Sequence, residues 1–263
     1  MMKKRVALLL TLVLLAVQAG CIHVSISDGD VEVLSGWDDL GASAVIGGGS
    51  TAADGIERLE IVWVAGSVRV EAGESDEIEI EESAGSSPID SGMQLRYRVQ
   101  NGTLRILFCK PGLRVVSVPE KDLTVRVPQA LAASIRSLKL DTVSAQATVT
   151  GLSGKTLEVD TVSGDTEVRG GVFREIDGDS VSGDLSVLTA SLPEELDFNS
   201  VSGGLTVALP AENDGFTLRL DSVSGEVDCA LPVQVKGDDY IHGDGACRID
   251  CDTVSGDVTI GEP

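Results

Sequence analysis

The sequence predicts an all-β fold: a single-domain β-solenoid (β-helix or β-roll-like) of roughly 20-residue, two-strand coils, entered through an irregular β lead-in. Three observations predict it. One short phrase occurs six times: Asp141-Thr-Val143-Ser-Ala145, Asp160-Thr-Val162-Ser-Gly164, Asp179-Ser-Val181-Ser-Gly183, Asn199-Ser-Val201-Ser-Gly203, Asp221-Ser-Val223-Ser-Gly225 and Asp252-Thr-Val254-Ser-Gly256. Its valines stand 19, 19, 20, 22 and 31 residues apart. Apolar residues alternate with polar ones on both sides of each copy, and the chain holds 30 glycines but only 3% aromatic residues.

The alternation sets the strands. Five residues before the valine stand Leu138, Leu157, Ile176, Leu196, Leu218 and Ile249; three before it stand Leu140, Val159, Gly178, Phe198, Leu220 and Cys251. Four after it stand Ala147, Thr166, Leu185, Leu205, Val227 and Val258, and six after it Val149, Val168, Val187, Val207, Cys229 and Ile260. Period-two alternation is the pattern of a half-buried strand. Each repeat therefore reads strand, turn, strand, turn. The turn residues are Val162 and Gly164, Val181 and Gly183, Val201 and Gly203, Val223 and Gly225, and Val254 and Gly256. The valine is expected to plug the corner from inside, with the glycine supplying a positive φ and the Asp capping its own backbone. One repeat buries too little apolar surface to fold alone, so neighbouring coils must share one core, stacked about 4.8 Å apart.

Upstream, Leu59–Val64, Ser67–Glu71, Ile78–Glu82, Leu95–Val99, Thr103–Phe108 and Leu123–Val127 read as extended. Asn101-Gly102 between two of them signals a hairpin. Glu79 and Glu81 are candidates to pair across a sheet with Arg96 and Arg98. Ala65-Gly66-Ser67-Val68 looks like a decayed copy of the turn. Residues 56–130 thus form the lead-in and cap, as the opening of the solenoid or as a separate small β-domain, and 131–263 the repeat body.

The N-terminus carries address information. Lys3, Lys4 and Arg5 precede an apolar run from Val6 to Val17, too short to span a bilayer but suited to a secretory signal over 1–20. Cys21 follows Ala19-Gly20 and resembles the acceptor of the bacterial lipoprotein cleavage box, although Gln18 stands where that box has leucine. Lipidation at Cys21 would give a stable anchor with two or more acyl chains. Residues 21–55, with Gly47-Gly48-Gly49-Ser50, read as a flexible tether; Trp37 within it is a docking anchor or a loosely packed hydrophobe. The implied location is the extracytoplasmic face of the cell membrane, with the membrane itself as first partner.

Net charge is −22. Loss of the first twenty residues removes three positive charges and no negative one, leaving −25. Such a surface repels phosphate backbones, so nucleic acid is not an expected partner.

The iterated turns, with Leu59-Glu-Ile-Val-Trp63-Val-Ala-Gly66-Ser-Val-Arg-Val, Ile78-Glu-Ile-Glu-Glu and Leu104-Arg-Ile-Leu-Phe-Cys109, resemble the bacterial "putative adhesin" repeat family over about residues 56–263. The resemblance implies a β-solenoid of unknown function, often lipid- or membrane-anchored. It implies no catalytic or ligand residues. The sequence departs from the pattern at Ala145 and in the long insert between Leu231 and Ala246.

The candidate chemistry is thin. Asp165, Asp184, Glu226 and Asp257 follow the valine by three and would stack in register. They either hold turns or share calcium. Four cysteines follow Cys21, and in an exported chain they permit disulfides. Cys229 with Cys247 or Cys251 is one arrangement and buried free thiols the other; Cys247 and Cys251, about 13 Å apart along one strand, do not suit each other. His242 has no evident triad partner, and six equivalent serines argue against one nucleophile. No cofactor is expected. The reading is a non-catalytic structural or adhesion-type surface lipoprotein; the alternative is a calcium- or glycan-binding envelope protein. Partners would be an envelope protein or glycan. The chain end after the last strand, blunted only by Pro263 and acidic residues, is expected to leave an open coil for end-to-end self-association or docking.

Overall fold

The computed structural model describes residues 23–27, 30–35, 39–85, 88–189, 191–210 and 213–261. The expected signal (1–20), Cys21, Trp37 and Pro263 lie outside the described residues.

The chain is a β-solenoid whose two faces are a twelve-stranded and a ten-stranded sheet. The repeat body runs as expected through four coils: β12 (Ile135–Thr142) with β13 (Gln146–Thr150), β14 (Gly154–Thr161) with β15 (Thr166–Arg169), β16 (Phe173–Ser180) with β17 (Leu185–Leu188), and β18 (Glu195–Ser200) with β19 (Leu205–Ala208). All neighbours are parallel, as a solenoid requires.

The next coil in sequence is not the next in space. Strands β20 (Gly215–Ser222) and β21 (Val227–Cys229) leave a gap of one coil. The final strands, β24 (Cys247–Thr253) and β25 (Val258–Gly261), return to fill it, so β24 pairs with both β18 and β20 and β25 with both β19 and β21. The insert that separates Val223 from Val254 by 31 residues supplies the return path and a hairpin, β22 (Gln234–Lys236) and β23 (Asp239–Gly243), laid antiparallel over β20. This corrects the expectation of an open end at the last strand: that strand is internal, and the coil 215–229 is terminal.

The same device operates at the other end. The first coil, β5 (Arg58–Trp63) and β6 (Gly66–Gly73), lies against β12 and β13. The chain then makes an outer coil from β9 (Thr103–Leu107) and β11 (Lys121–Pro128) before returning. Antiparallel strands close this end: β8 (Arg96–Gln100) and β3 (Val45–Ile46) over β9, and β7 (Glu77–Ser83) and β4 (Gly49–Ala52) over β11. The lead-in is therefore the opening of the solenoid. Residues 45–52, within the stretch read as tether, take part in this cap. The hairpin at Asn101-Gly102 forms, with φ of 52° and 74° as a primed turn requires. The glutamates of β7 do not meet Arg96 and Arg98, because β7 and β8 belong to different sheets; Arg126 of β11 takes Glu79 and Glu81 instead. A small third sheet joins β1 (His23–Ser27), β2 (Asp30–Ser35) and β10 (Leu113–Val115).

Register makes the core continuous. Leu104, Leu59, Leu138, Leu157, Ile176, Leu196, Ile249 and Leu218 follow one another across the twelve-stranded sheet, all buried. Val125, Val70, Val149, Val168, Val187, Val207 and Ile260 do the same in the other sheet. Each such side chain contributes about 1.5–3 kcal/mol by leaving water.

Candidate functional site

The repeated corner gathers the polar residues that recur in all six copies of the phrase. Its geometry differs from the expected corner plug. Val162, Val181, Val201 and Val254 are only half-buried, and Val223 is 54% exposed. The buried residue is the one before: Thr142, Thr161, Ser180, Ser200 and Thr253. Its hydroxyl closes the turn. The Gly164 N–H donates to Thr161 Oγ1 (3.0 Å), Gly203 to Ser200 Oγ (2.6 Å), Gly225 to Ser222 Oγ (2.7 Å) and Gly256 to Thr253 Oγ1 (2.8 Å). Alternation explains it: positions five, three and one before the valine share parity and point inward.

Nor do the turn glycines 164, 183, 203, 225 and 256 have positive φ. They are required by stacking. A Cβ on each would overlap a backbone carbonyl oxygen of the neighbouring coil: Ala145 beneath Gly164, Gly164 beneath Gly183, Gly183 beneath Gly203, Gly203 beneath Gly256 and Gly256 beside Gly225. Ala145 interrupts this column. In register before it stands Gly66, where a Cβ would likewise overlap the backbone carbonyl oxygen of Lys121; Gly66 alone of the set also turns with a positive φ, 99°.

The serine after each valine also has a set task. Ser144 donates to the Val64 carbonyl, Ser163 to Val143, Ser182 to Val162, Ser202 to Val181, Ser255 to Val201 and Ser224 to Val254, at 3.1–3.5 Å. The six hydroxyls form one ladder up the solenoid.

The stacked acids behave similarly. Asp165 accepts the Asp184 N–H (3.0 Å), Asp184 the Gly204 N–H (2.7 Å) and Asp257 the Glu226 N–H (2.9 Å). All four side chains, Glu226 included, are exposed. Among the described residues, no group of three or more His, Cys, Asp or Glu side chains is placed to hold a metal ion.

The residues two before the valine, whose acids were expected to cap their own turns, stack instead as a column away from the core, five aspartates and one asparagine: Asp141, Asp160, Asp179, Asn199, Asp252 and Asp221 in spatial order. Lys139 reaches Asp160 (2.8 Å), Asp141 (3.6 Å) and Glu158. Asp141 is 1% exposed, and neither carboxylate oxygen has a hydrogen-bond partner. Burial, against the pull of Lys139 and reinforced by Asp160, pushes its carboxyl up to about 8. Burial alone would lower Lys139, but Asp141, Asp160 and Glu158 together raise it. Burial, and then like neighbours, also raise Asp177, Asp197 and Asp252. Asp179 is raised by burial, with the Asn199 amide opposing.

A second charged group escaped sequence reading. Lys121 is 1% exposed and lies over Phe108 (3.9 Å to the ring centroid) and Trp63 (4.8 Å). Its ammonium pairs with Glu82 and donates to the Met93 carbonyl (2.6 Å). Burial lowers its pKa while Glu82 opposes. Alternation held the signal, since Lys121 shares parity with the buried Leu123, Val125 and Val127. Every donor is directed at protein, so the group holds the cap together.

Cys109, Cys229, Cys247 and Cys251 are free thiols. Cys247 and Cys251 lie on β24, and Cys229 on β21 in the opposite sheet. Burial pushes Cys247 and Cys251 up to about 12 and Cys109 to about 11, far from nucleophilic. His242 Nδ1 lies 2.8 Å from the Pro232 carbonyl, and the ring packs on Phe216. No helix among the described residues is long and apolar enough to cross a membrane.

The fold and its corners define a class: a capped, all-β solenoid whose repeated polar residues hold one coil to the next. The chain belongs to the Toastrack DUF4097 family, which matches residues 16–261. It is similar to the crystal structure of a "putative cell adhesion protein" from Clostridium sporogenes, with 14% identity, a TM-score of 0.49, and coverage of 84% of this chain and 98% of that one. A "putative adhesin" from Parabacteroides distasonis shows 11% identity and a TM-score of 0.36, with coverage of 84% and 98%. No curated protein matches the chain.

Proposed function

We propose that this protein is a non-catalytic surface module of structural or adhesive type, lipidated at Cys21 and held on the extracytoplasmic face of the cell membrane. The observation that carries the non-catalytic reading is the serine ladder. All six repeat serines donate to the neighbouring coil in the same way, so none is set apart as a nucleophile. The basic start, short apolar run and small residues before Cys21 support export and anchoring. Its partners are an envelope protein or glycan.

The test uses cells making the full chain. Labelled palmitate should enter the protein, and Cys21→Ala should abolish the label and release the protein to the medium. Cells with the anchored protein should adhere to envelope material better than cells with Cys21→Ala. Release of soluble sugar or peptide from envelope material by the purified chain would overturn the non-catalytic reading.

A further inference from the structure

The two sheets end unevenly. At the lead-in end both are covered by two further strands, β8 and β3 in one and β7 and β4 in the other. At the far end β23 and β22 cover β20, but among the described residues no strand covers β21. The deficit is visible in burial. Val227 and Cys229 are half-buried, whereas Val258 and Ile260, their counterparts one coil inward, are 0% and 1% exposed. The backbone shows the same vacancy. Val258 N–H donates to Glu226 O (2.9 Å) and Ala230 N–H to Ile260 O (2.9 Å). Even-numbered residues of β21 therefore bond β25, and the N–H and C=O groups of Val227 and Cys229 face the open edge.

The existing caps show what fits such an edge. Where β7 covers β11, Glu79 and Glu81 meet Arg126 (3.6 and 2.9 Å). Where β23 covers β20, Asp239 meets Arg219 (2.9 Å). These two caps bring charge opposite to that of the strand beneath, whereas β8 sets Arg98 against Arg105 of β9. The uncovered strand carries exposed Asp228, with Glu226 just before it.

We infer that β21 is a strand-acceptor edge, and that its occupant is an extended segment of a partner protein in which basic residues alternate with apolar ones. The apolar residues would complete the inner face over Val227 and Cys229, and the basic ones would lie beside Asp228 and Glu226. The inference stands on the free edge and its charge, so it survives if the adhesive reading fails.

The test is fluorescence anisotropy of a labelled heptapeptide alternating lysine and valine, titrated with the full chain. Binding is expected, and the glutamate–valine peptide should not bind. Asp228→Lys should weaken binding at least tenfold with an unchanged melting temperature. Two further peptides carry N-methyl groups, one on its valines and one on its lysines. Edge pairing uses alternate amides, so one methylated peptide should lose at least tenfold and the other should keep its affinity. Absence of binding, indifference to Asp228→Lys, or equal binding of both methylated peptides overturns the inference; the last would show mere charge adsorption. So would sedimentation showing that a second copy of the chain already fills the edge, or protection of the β21 edge by residues 1–22.

Discussion

Gly183 stacks on Gly164 so closely that a Cβ on Gly183 would overlap the Gly164 carbonyl oxygen. The glycine column therefore fixes how near two coils can lie, through close approach of backbones and not through turn conformation. Gly183→Ala is expected to destabilise the protein by about 1–3 kcal/mol, the range for inserting a methyl into a packed interior. Gly170 is the control. It has φ of 66° and nothing within 4 Å of its would-be Cβ, and asparagine tolerates that conformation. Gly170→Asn should melt near the parent, and Gly183→Asn well below it. Equal melting of the two asparagine variants would remove the stacking argument.

The corner hydroxyls and the serine ladder should separate by burial. Thr161→Val leaves the Gly164 N–H without its buried acceptor and breaks the bond from Thr142 (2.9 Å). It should cost about 1–3 kcal/mol. Ser182→Ala removes an exposed donor to the Val162 carbonyl and should cost about 1 kcal/mol or less. Denaturant midpoints with unchanged slopes would read both.

Acidification should stabilise this protein through its mildly acidic range. The Asp141 carboxyl sits at about 8 in the folded chain against 3.8 as its ordinary value, so between these the native state holds a proton the unfolded chain has lost. Its contribution is fully present below 3.8 and disappears as pH rises through 8. Asp177, Asp179, Asp197 and Asp252 shift in the same direction. The melting temperature should rise from pH 8 to pH 5, and Asp141→Asn should reduce that rise. A parent melting temperature that is flat or falls over this interval contradicts the assignment.

Much of this architecture was legible because burial follows parity. Leu157, Val159, Leu185 and Val187 are inward as their alternation requires. The same parity places Thr161 inward and Val162 outward; hydrophobicity pointed to the valine, and the backbone period decided otherwise. Lys121 was readable on the same ground, but its partner Glu82 lies 39 residues away on another strand and no local pattern announces it. The spatial order of the last two coils was not legible. Leu218 and Ile249 occupy equivalent positions, so either coil continues the core equally well. The choice rests on the insert, whose hairpin can cover β20 only if β24 lies on the other side of it.

That order can be tested by cross-linking. Asn199 and Asp252 are direct neighbours on β18 and β24, whereas Asp221 lies one strand further on. Parallel neighbours are about 4.8 Å apart, within reach of a disulfide, and two strands make about 10 Å, which is out of reach. With the five native cysteines changed to alanine, the pair Asn199→Cys and Asp252→Cys should oxidise in the folded state, as should Asp221→Cys with Asp252→Cys. Asn199→Cys with Asp221→Cys should remain reduced, although these residues are much closer in sequence than 199 and 252. A chain that stacked its coils in sequence order would give the reverse for the two pairs that include residue 199. Peptide mapping of the oxidised protein distinguishes the two outcomes without reference to stability.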